Sequence, residues 1–453
     1  MSRQTLEDVM QSVDDTVEML RRNGHDYTDD FPVVPNEYTN WIDEQRAIVE
    51  TCALGDLSHH MDAIHFEGPD VVDLLSDLCV NDFDDFEVGR AKQIVACNPH
   101  GDIMGDGPLL RLGEEEFWGV PTCSDWILYN AEAGDYDVET ELDPLTPMQE
   151  GIPDTFIFQV QGPNTHDVLD QLTDADLRDL GFYRFEEIEL AGREVRAFGH
   201  GMNTETGYEF HGPYEYADEI REAIVEAGRE HGLKQLGSKA YLTQSVRLGW
   251  IVPGPPPIYE YDDMQGFREY LSARSWEATY SIEGSYEADD IADYYMDPVE
   301  LGYERLIDFD HDFVGKEALR EKVENQRREL VSLQWDADDV VDVYASRFRP
   351  GDSYKYMELP RIAWARAPCD EVRKDGETVG ISHTRAYQCD VDTVVSLCRL
   401  DLEHAKPGTE VTVVWGEGET SNPKVEQHVQ TELTATVAPA PYSEDRRKRK
   451  QTA

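Results

Sequence analysis

Residues 64–78 read IHFEGPDVVDLLSDL, and residues 158–172, ninety-four positions later, read FQVQGPNTHDVLDQL. Gly68-Pro69 recurs as Gly162-Pro163, Asp73 as Asp167, and Leu75 and Leu78 as Leu169 and Leu172. In each copy an alternating apolar segment spells a short strand, and apolar residues three or four apart spell an amphipathic helix. Between them glycine supplies a turn, and proline suits a first helical turn, where a backbone N–H has no partner anyway. A strand–turn–helix unit that occurs twice predicts two related α+β lobes across the N-terminal two-thirds of the chain.

Alternating segments that fit hairpins follow each copy. They are AKQIVACNPHGDIMGDGPLLRL (91–112) and EFWGVPT (116–122) after the first, FEEIELAGREVRAFGH (185–200) and TGYEFHGP (206–213) after the second. Residues 214–232 then read as an amphipathic helix stopped at Gly232. Ahead of the repeat, Leu6, Val9, Met10, Val13, Val17 and Leu20 keep helical spacing over 5–23, and a proline-containing lead-in segment occupies 29–41. Beyond about residue 305, short strands such as LVSLQW, VVSLCRL, EVTVVWG and ELTATVAPAPY follow a solvated helix over 315–329 and predict a small β-barrel or sandwich. The expected class is α+β: an N-terminal helix and lead-in over 1–46, two lobes over 47–304 (about 47–150 and 151–304), a barrel over 305–445 and a basic tail over 446–453.

The 453 residues carry 94 acids against 40 Lys and Arg, a net charge of −54 spread from end to end. A folded body this acidic repels nucleic acid and anionic lipid, whose phosphates want basic stripes. Whole-surface adaptation to concentrated salt, where self-repulsion is screened, accounts for such a charge better than mimicry of an acidic partner. Seven cysteines, at 52, 79, 97, 123, 369, 389 and 398, show no metal-ligand spacing and read as reduced, packed thiols. With no secretory signal and no apolar run long enough to span a membrane, the expected location is cytoplasmic.

Two local motifs invite chemistry. Gly105-Asp106-Gly107 stands at the mouth of an apolar run. On local pattern alone it is turn chemistry, since glycine takes positive φ and aspartate bonds its own backbone. Asp102, four residues earlier, reads as a turn residue too. His59-His60 lacks the convergent partners that a zinc site needs, so no metal is expected.

In order along the chain, HFEGPDVVDLLSDL, NPHGDIMGDGPLLRL, FQVQGPNTHDVL, NTETGYEFHGP, HGLKQLGSKAY, FDHDFVGKEAL and ATVAPAPYSED together resemble the glycine-cleavage T-protein (aminomethyltransferase) superfamily of folate-dependent one-carbon transferases. Within it, PNEYTNWIDEQRAIVETCAL and YYMDPVELGYERLIDFDHDFVGKEAL are most similar to the tetrahydrofolate-dependent O-demethylases of the vanillate and syringate type. The KGCYxGQE-like pattern of the iron–sulfur assembly branch is absent, as is a GxGxxG flavin module. The segment EEFWGVPTCSDW lacks the arginine expected to hold a methoxybenzoate carboxylate.

The resemblance implies tetrahydrofolate as cofactor, a small methylated substrate as partner, and transfer of a methyl group to N5. It turns Asp106 from a turn residue into the family's essential carboxylate, beside the reduced pterin. It puts Glu209 at the pterin's amino and ring N–H edge, where an acceptor-only group is suited. Tyr241 falls where the aromatic O-demethylases place a tyrosine beside the methoxy oxygen. A phenol of pKa about 10 can protonate a departing phenolate of similar basicity. Trp250 would line the same pocket, His60 would edge it, and Arg247 would meet a folate carboxylate. Three other functions fit the same residues: aminomethyl transfer from a lipoyl arm, demethylation of a sulfonium or methylamine, and folate binding without turnover. The long segment 258–295 speaks against the first, whose chain is usually shorter.

Overall fold

A computed structural model of the chain describes residues 4–23, 33–83, 85–146, 151–202, 206–360, 366–420 and 422–443. Part of the lead-in segment and the whole basic tail lie outside the described residues. The two copies of the repeat each open a lobe, with strands Ala63–Glu67 and Thr155–Gln161 leading to helices Val71–Leu78 and Thr165–Leu169. Gly68 and Gly162 take φ of +150° and +129°, and a Cβ on either would sit 2.2 Å from the Asp137 carbonyl oxygen or 2.7 Å from that of Thr51. Backbone conformation and close approach therefore both demand glycine. The prolines stand just ahead of the N-cap residues Asp70 and Asn164, rather than inside the first helical turn.

The first lobe's sheet runs Ala91–Cys97, Ile103–Arg111, Glu116–Gly119, Ala63–Glu67, Glu139–Asp143, all antiparallel. The second runs Leu233–Gln235, Cys52–Asp56, Thr155–Gln161, Gly207–Pro213, Arg193–Phe198, Phe185–Leu190. Strand Cys52–Asp56 precedes the first repeat in sequence yet pairs antiparallel with Thr155–Gln161 of the second. The chain thus stitches the lobes together before it builds either one.

The leading helix divides into Leu6–Met10 and Thr16–Arg22, because Thr5 caps the first, in a reciprocal pair with Asp8, and Asp15 caps the second by accepting from the Glu18 N–H at 3.0 Å. Segment 258–295 is part of the body: Ile258, Met264, Phe267 and Leu271 share one core with Leu74, Trp126 and Ile127 of the first lobe. The C-terminal region is a barrel and not a sandwich. Six strands, Arg328–Trp335, Thr393–Asp401, Glu377–Gln388, Asp370–Lys374, Glu410–Trp415 and Thr431–Pro439, close on themselves and leave no exposed edge. Among the described residues no helix is long and apolar enough to cross a membrane, and no cluster of three or more His, Cys, Asp or Glu could hold a metal. All seven cysteines are buried and unpaired with one another.

Candidate active site

A cavity of about 290 Å³ opens between the lobes, with Leu330 of the first barrel strand and Pro441 beyond the last one completing its wall. Asp106, Glu209, Tyr241 and Trp250 all line it.

Asp106 is not in a turn. It lies in the middle of strand Ile103–Arg111, opposite Val95, and the turn is made earlier, at Asn98–Asp102, where Gly101 takes φ of +71°. The flanking glycines serve packing: a Cβ on Gly105 would sit 2.6 Å from Thr122 Oγ1, and one on Gly107 would sit 2.7 Å from Pro121 Cα. With both neighbours bare, the strand lies flush on segment 120–123 and aims the carboxylate into the cavity. Three donors converge there. Tyr303 Oη donates to Oδ2 at 2.6 Å, Gln93 Nε2 at 2.8 Å and Trp250 Nε1 at 3.0 Å. The Gln93 amide is itself fixed, because its oxygen accepts from Tyr183 Oη at 2.6 Å. Tyr183 holds φ of +58°, a conformation that bulky residues rarely adopt and that concentrates at functional sites. Burial pushes the Asp106 carboxyl above its usual range, and the three hydrogen bonds oppose that only in part.

Glu209 reaches the same cavity from strand Gly207–Pro213. Its neighbours Tyr208 and Phe210 point the other way, into the second lobe's core, as strand alternation requires. Its carboxylate meets His200 Nδ1 at 2.7 Å, Gln159 Nε2 at 3.2 Å and His211 Nε2 at 3.4 Å. Burial alone would raise its pKa, but His200 and then His211 overcome that and hold it down to about 2. Two carboxylates in one cavity are thus pushed apart, the arrangement that separates proton-handling from fixed-charge roles.

Tyr241, 7% exposed, has its phenol raised by burial first and by Glu209 second, so it stays protonated. His60 is not among the cavity's lining residues. It packs edge-on against Tyr241 with ring centroids 4.8 Å apart, and burial drives its pKa down to about 3, which keeps it neutral. Trp250 lines the cavity as expected and is also a donor to Asp106. Arg247 lies away from the cavity, in an ion pair with Asp390. Asp102 ends its turn as expected, and is also a buried anchor that accepts from Tyr261 Oη at 2.8 Å and pairs with Lys322.

Sequence reasoning missed Gln93, Tyr183, His200, His211 and Tyr303. Tyr303 is 197 positions from Asp106, and nothing periodic in its surroundings announces a contact with it. The site can accept hydrogen bonds at two carboxylates, Asp106 from the first lobe and Glu209 from the second. It can donate a proton from Tyr241.

Residues 14–252 match the GCVT N-terminal domain. The chain is 37% identical to syringate O-demethylase of Sphingobium sp., over 97% of this chain and 96% of that protein. It is 32% identical to sesamin methylene transferase of Sinomonas sp., over 91% of each. Its fold matches the crystal structure of glycine cleavage system aminomethyltransferase T from Bartonella henselae with a TM-score of 0.62 at 16% identity, covering 91% of this chain and 92% of that one.

Proposed function

From the premise that this chain belongs to the GCVT family, we propose that it moves a methyl group from a small methoxy substrate to N5 of tetrahydrofolate. The observation that carries the reading is the convergence of Asp106 from the first lobe and Glu209 from the second on one cavity that also holds Tyr241. The residues present suit a reduced pterin: Asp106 and Glu209 bring acceptors to the cavity from both lobes, and acceptors are what its N–H edge needs. When bound, tetrahydrofolate supplies a nucleophilic nitrogen that accepts the methyl and gives up a proton.

The protein's own residues do the rest. Glu209, ionised and pinned by His200, holds the heterocycle's edge without changing protonation state. Asp106, fixed by Tyr303, Gln93 and Trp250, orients the reacting side, and its raised pKa suits it to handle a proton at a buried position. Tyr241 Oη hydrogen-bonds the ether oxygen. As the methyl–oxygen bond breaks, the electron pair stays on that oxygen and Tyr241 delivers the proton it needs; Asp106 passes the proton released on methyl acceptance to solvent, and solvent reprotonates Tyr241 once the product leaves. Arg247 takes no part in this scheme, since Asp390 occupies it.

The 37% identity to an O-demethylase, against 24% to the aminomethyltransferase of Thermoanaerobacter sp., favours ether cleavage over transfer from a lipoyl arm. The acidic surface reads as adaptation to concentrated salt, and the seven buried thiols as a cytoplasmic setting. The deciding experiment incubates purified protein in molar KCl with tetrahydrofolate and a panel of methoxyarenes, methylamines and sulfonium salts, and measures 5-methyltetrahydrofolate. Product from methoxyarenes is expected. Product from amines or sulfonium salts alone would replace the reading, and folate binding without product from any donor would reduce the protein to a binding module.

A further inference from the structure

Resting on the demethylase reading above, we infer that the methyl donor is an uncharged aryl ether, with neither a carboxylate nor an ammonium on its ring. The cavity's composition carries the inference. Among the described lining residues there is no Lys or Arg, and the charged or chargeable lining groups apart from tyrosines are Asp106, Glu209 and His200. His200 is already committed to Glu209 at 2.7 Å. Arg247, the residue before the lining Leu248, is paired with Asp390 outside the cavity. A ring carboxylate entering here would exchange water for a wall with no cation and two acids, and an unpaired charge taken out of water is strongly disfavoured.

A cationic donor fares no better, because both carboxylates are engaged before it arrives: Asp106 receives hydrogen bonds from Tyr303, Gln93 and Trp250, Glu209 from Gln159 with His200 and His211 beside it, and in the complex proposed above their remaining acceptor sites face the pterin. The surfaces left over are Met61, Val120, Leu248, Ile251 and Leu301, which match an apolar ring. Tyr241, protonated and buried, gives the one directional contact an ether oxygen needs. Of the two similar proteins, one is named for a benzoate and the other for sesamin, a neutral compound. The cavity of this chain fits the second kind of donor.

The test is calorimetric titration of the full chain, saturated with tetrahydrofolate in molar KCl, with pairs of aryl methyl ethers in which one member adds a charged group to the ring. The pairs are guaiacol with vanillate, 2,6-dimethoxyphenol with syringate, and anisole with 4-methoxyphenyltrimethylammonium. The uncharged member of each pair should bind at least about tenfold more tightly, the scale on which apolar pockets discriminate by a single group. Equal or tighter binding of either carboxylate overturns the inference, as does tighter binding of the ammonium, and so does failure of every uncharged arene to bind. Turnover of the same ligands reads the demethylase assignment separately. A clear preference for uncharged arenes with no product from any of them would leave the cavity's selectivity for uncharged arenes standing and the demethylase assignment wrong.

Discussion

Asp106 and Glu209 show how two identical functional groups acquire different properties within one cavity. Asp106 is raised by burial, whereas Glu209 is held to about 2 because His200 and His211 outweigh the same burial. Tyr303→Phe removes the shortest donor to Asp106, which raises the carboxyl further. The acidic limb of kcat/KM should therefore move to higher pH, and a pH–rate profile of the variant checks this; an unmoved limb would mean that Asp106 does not titrate in catalysis. Glu209→Ala should weaken tetrahydrofolate binding by about 1.5–3 kcal/mol, the range for hydrogen bonds to a charged group, measured by titration calorimetry. Tyr241→Phe keeps shape and loses the proton, so kcat should fall by about 10²–10⁴ with folate affinity nearly unchanged. That penalty should shrink along a series of aryl methyl ethers as the leaving phenol becomes more acidic. That Asp106, Glu209, Tyr241 and Trp250 share one cavity was legible only through the family resemblance of the segments that hold them, since local pattern alone made Asp106 a turn residue. Gln93 and Tyr303 were not legible, since each has meaning only through a contact with a residue on another segment, and a strand or loop sequence does not encode which residue it will face.

Elements carry the site by how closely they pack. Gly107→Ala would place a methyl group 2.7 Å from Pro121 Cα and 2.8 Å from the Val120 carbonyl oxygen, both backbone atoms that cannot step aside. The strand must lift, at a cost of about 1–3 kcal/mol typical of overpacking, and Asp106 lifts with it. Thermal unfolding and folate affinity should therefore both suffer in this variant. A second element meets the first lobe through a buried acid: Glu277, on helix Trp276–Thr279, is pushed up to about 8 by burial and then by Asp125 and Asp62, and Asp62 is itself pushed to about 7. The native state keeps these protons after the unfolded chain has lost them near the ordinary carboxylate pKa, so stability falls as pH rises from about 4 to 8. Glu277→Gln keeps the volume and removes the ionisation. The variant should exceed the wild type in denaturant midpoint above pH 8, with the gap closing below about pH 5; equal midpoints across the range would show that Glu277 does not ionise against its surroundings. The repeat, the hairpins and the barrel strands were legible because period and turn chemistry are local. The exchange of strand Cys52–Asp56 into the second sheet and the docking of 258–295 on the first lobe were not, because pairing partners are a property of the folded chain. The break in the leading helix was in principle readable from the caps at Thr5 and Asp15, which helical periodicity alone runs past.

At the scale of the whole molecule the dominant fact is charge. A net −54 over 19756 Å² of surface leaves one uncompensated negative charge per roughly 370 Å², a mean spacing of about 19 Å. At 0.01 M salt the Debye length is about 30 Å, so neighbours on this grid feel one another and their many repulsions accumulate; at 0.1 M it is about 10 Å and at 1 M about 3 Å, and screening progressively removes them. The ion pairs on the surface respond to salt in the opposite sense, but exposed pairs such as Arg178–Asp170 contribute only about 0–1 kcal/mol each, and they are outnumbered by unpaired acids. Repulsion therefore wins, and the melting temperature should climb from low salt to molar KCl. Screening depends on ionic strength and not on the identity of the ion, so NaCl and KCl should give the same curve, and the climb should flatten near 1 M, where the spacing exceeds the Debye length several-fold. A continued rise in sulfate beyond that point belongs to strengthened apolar burial, not to charge. A melting temperature flat or falling with KCl would mean that the acidic surface is not a response to salt, and would favour the alternative in which it mimics an acidic partner.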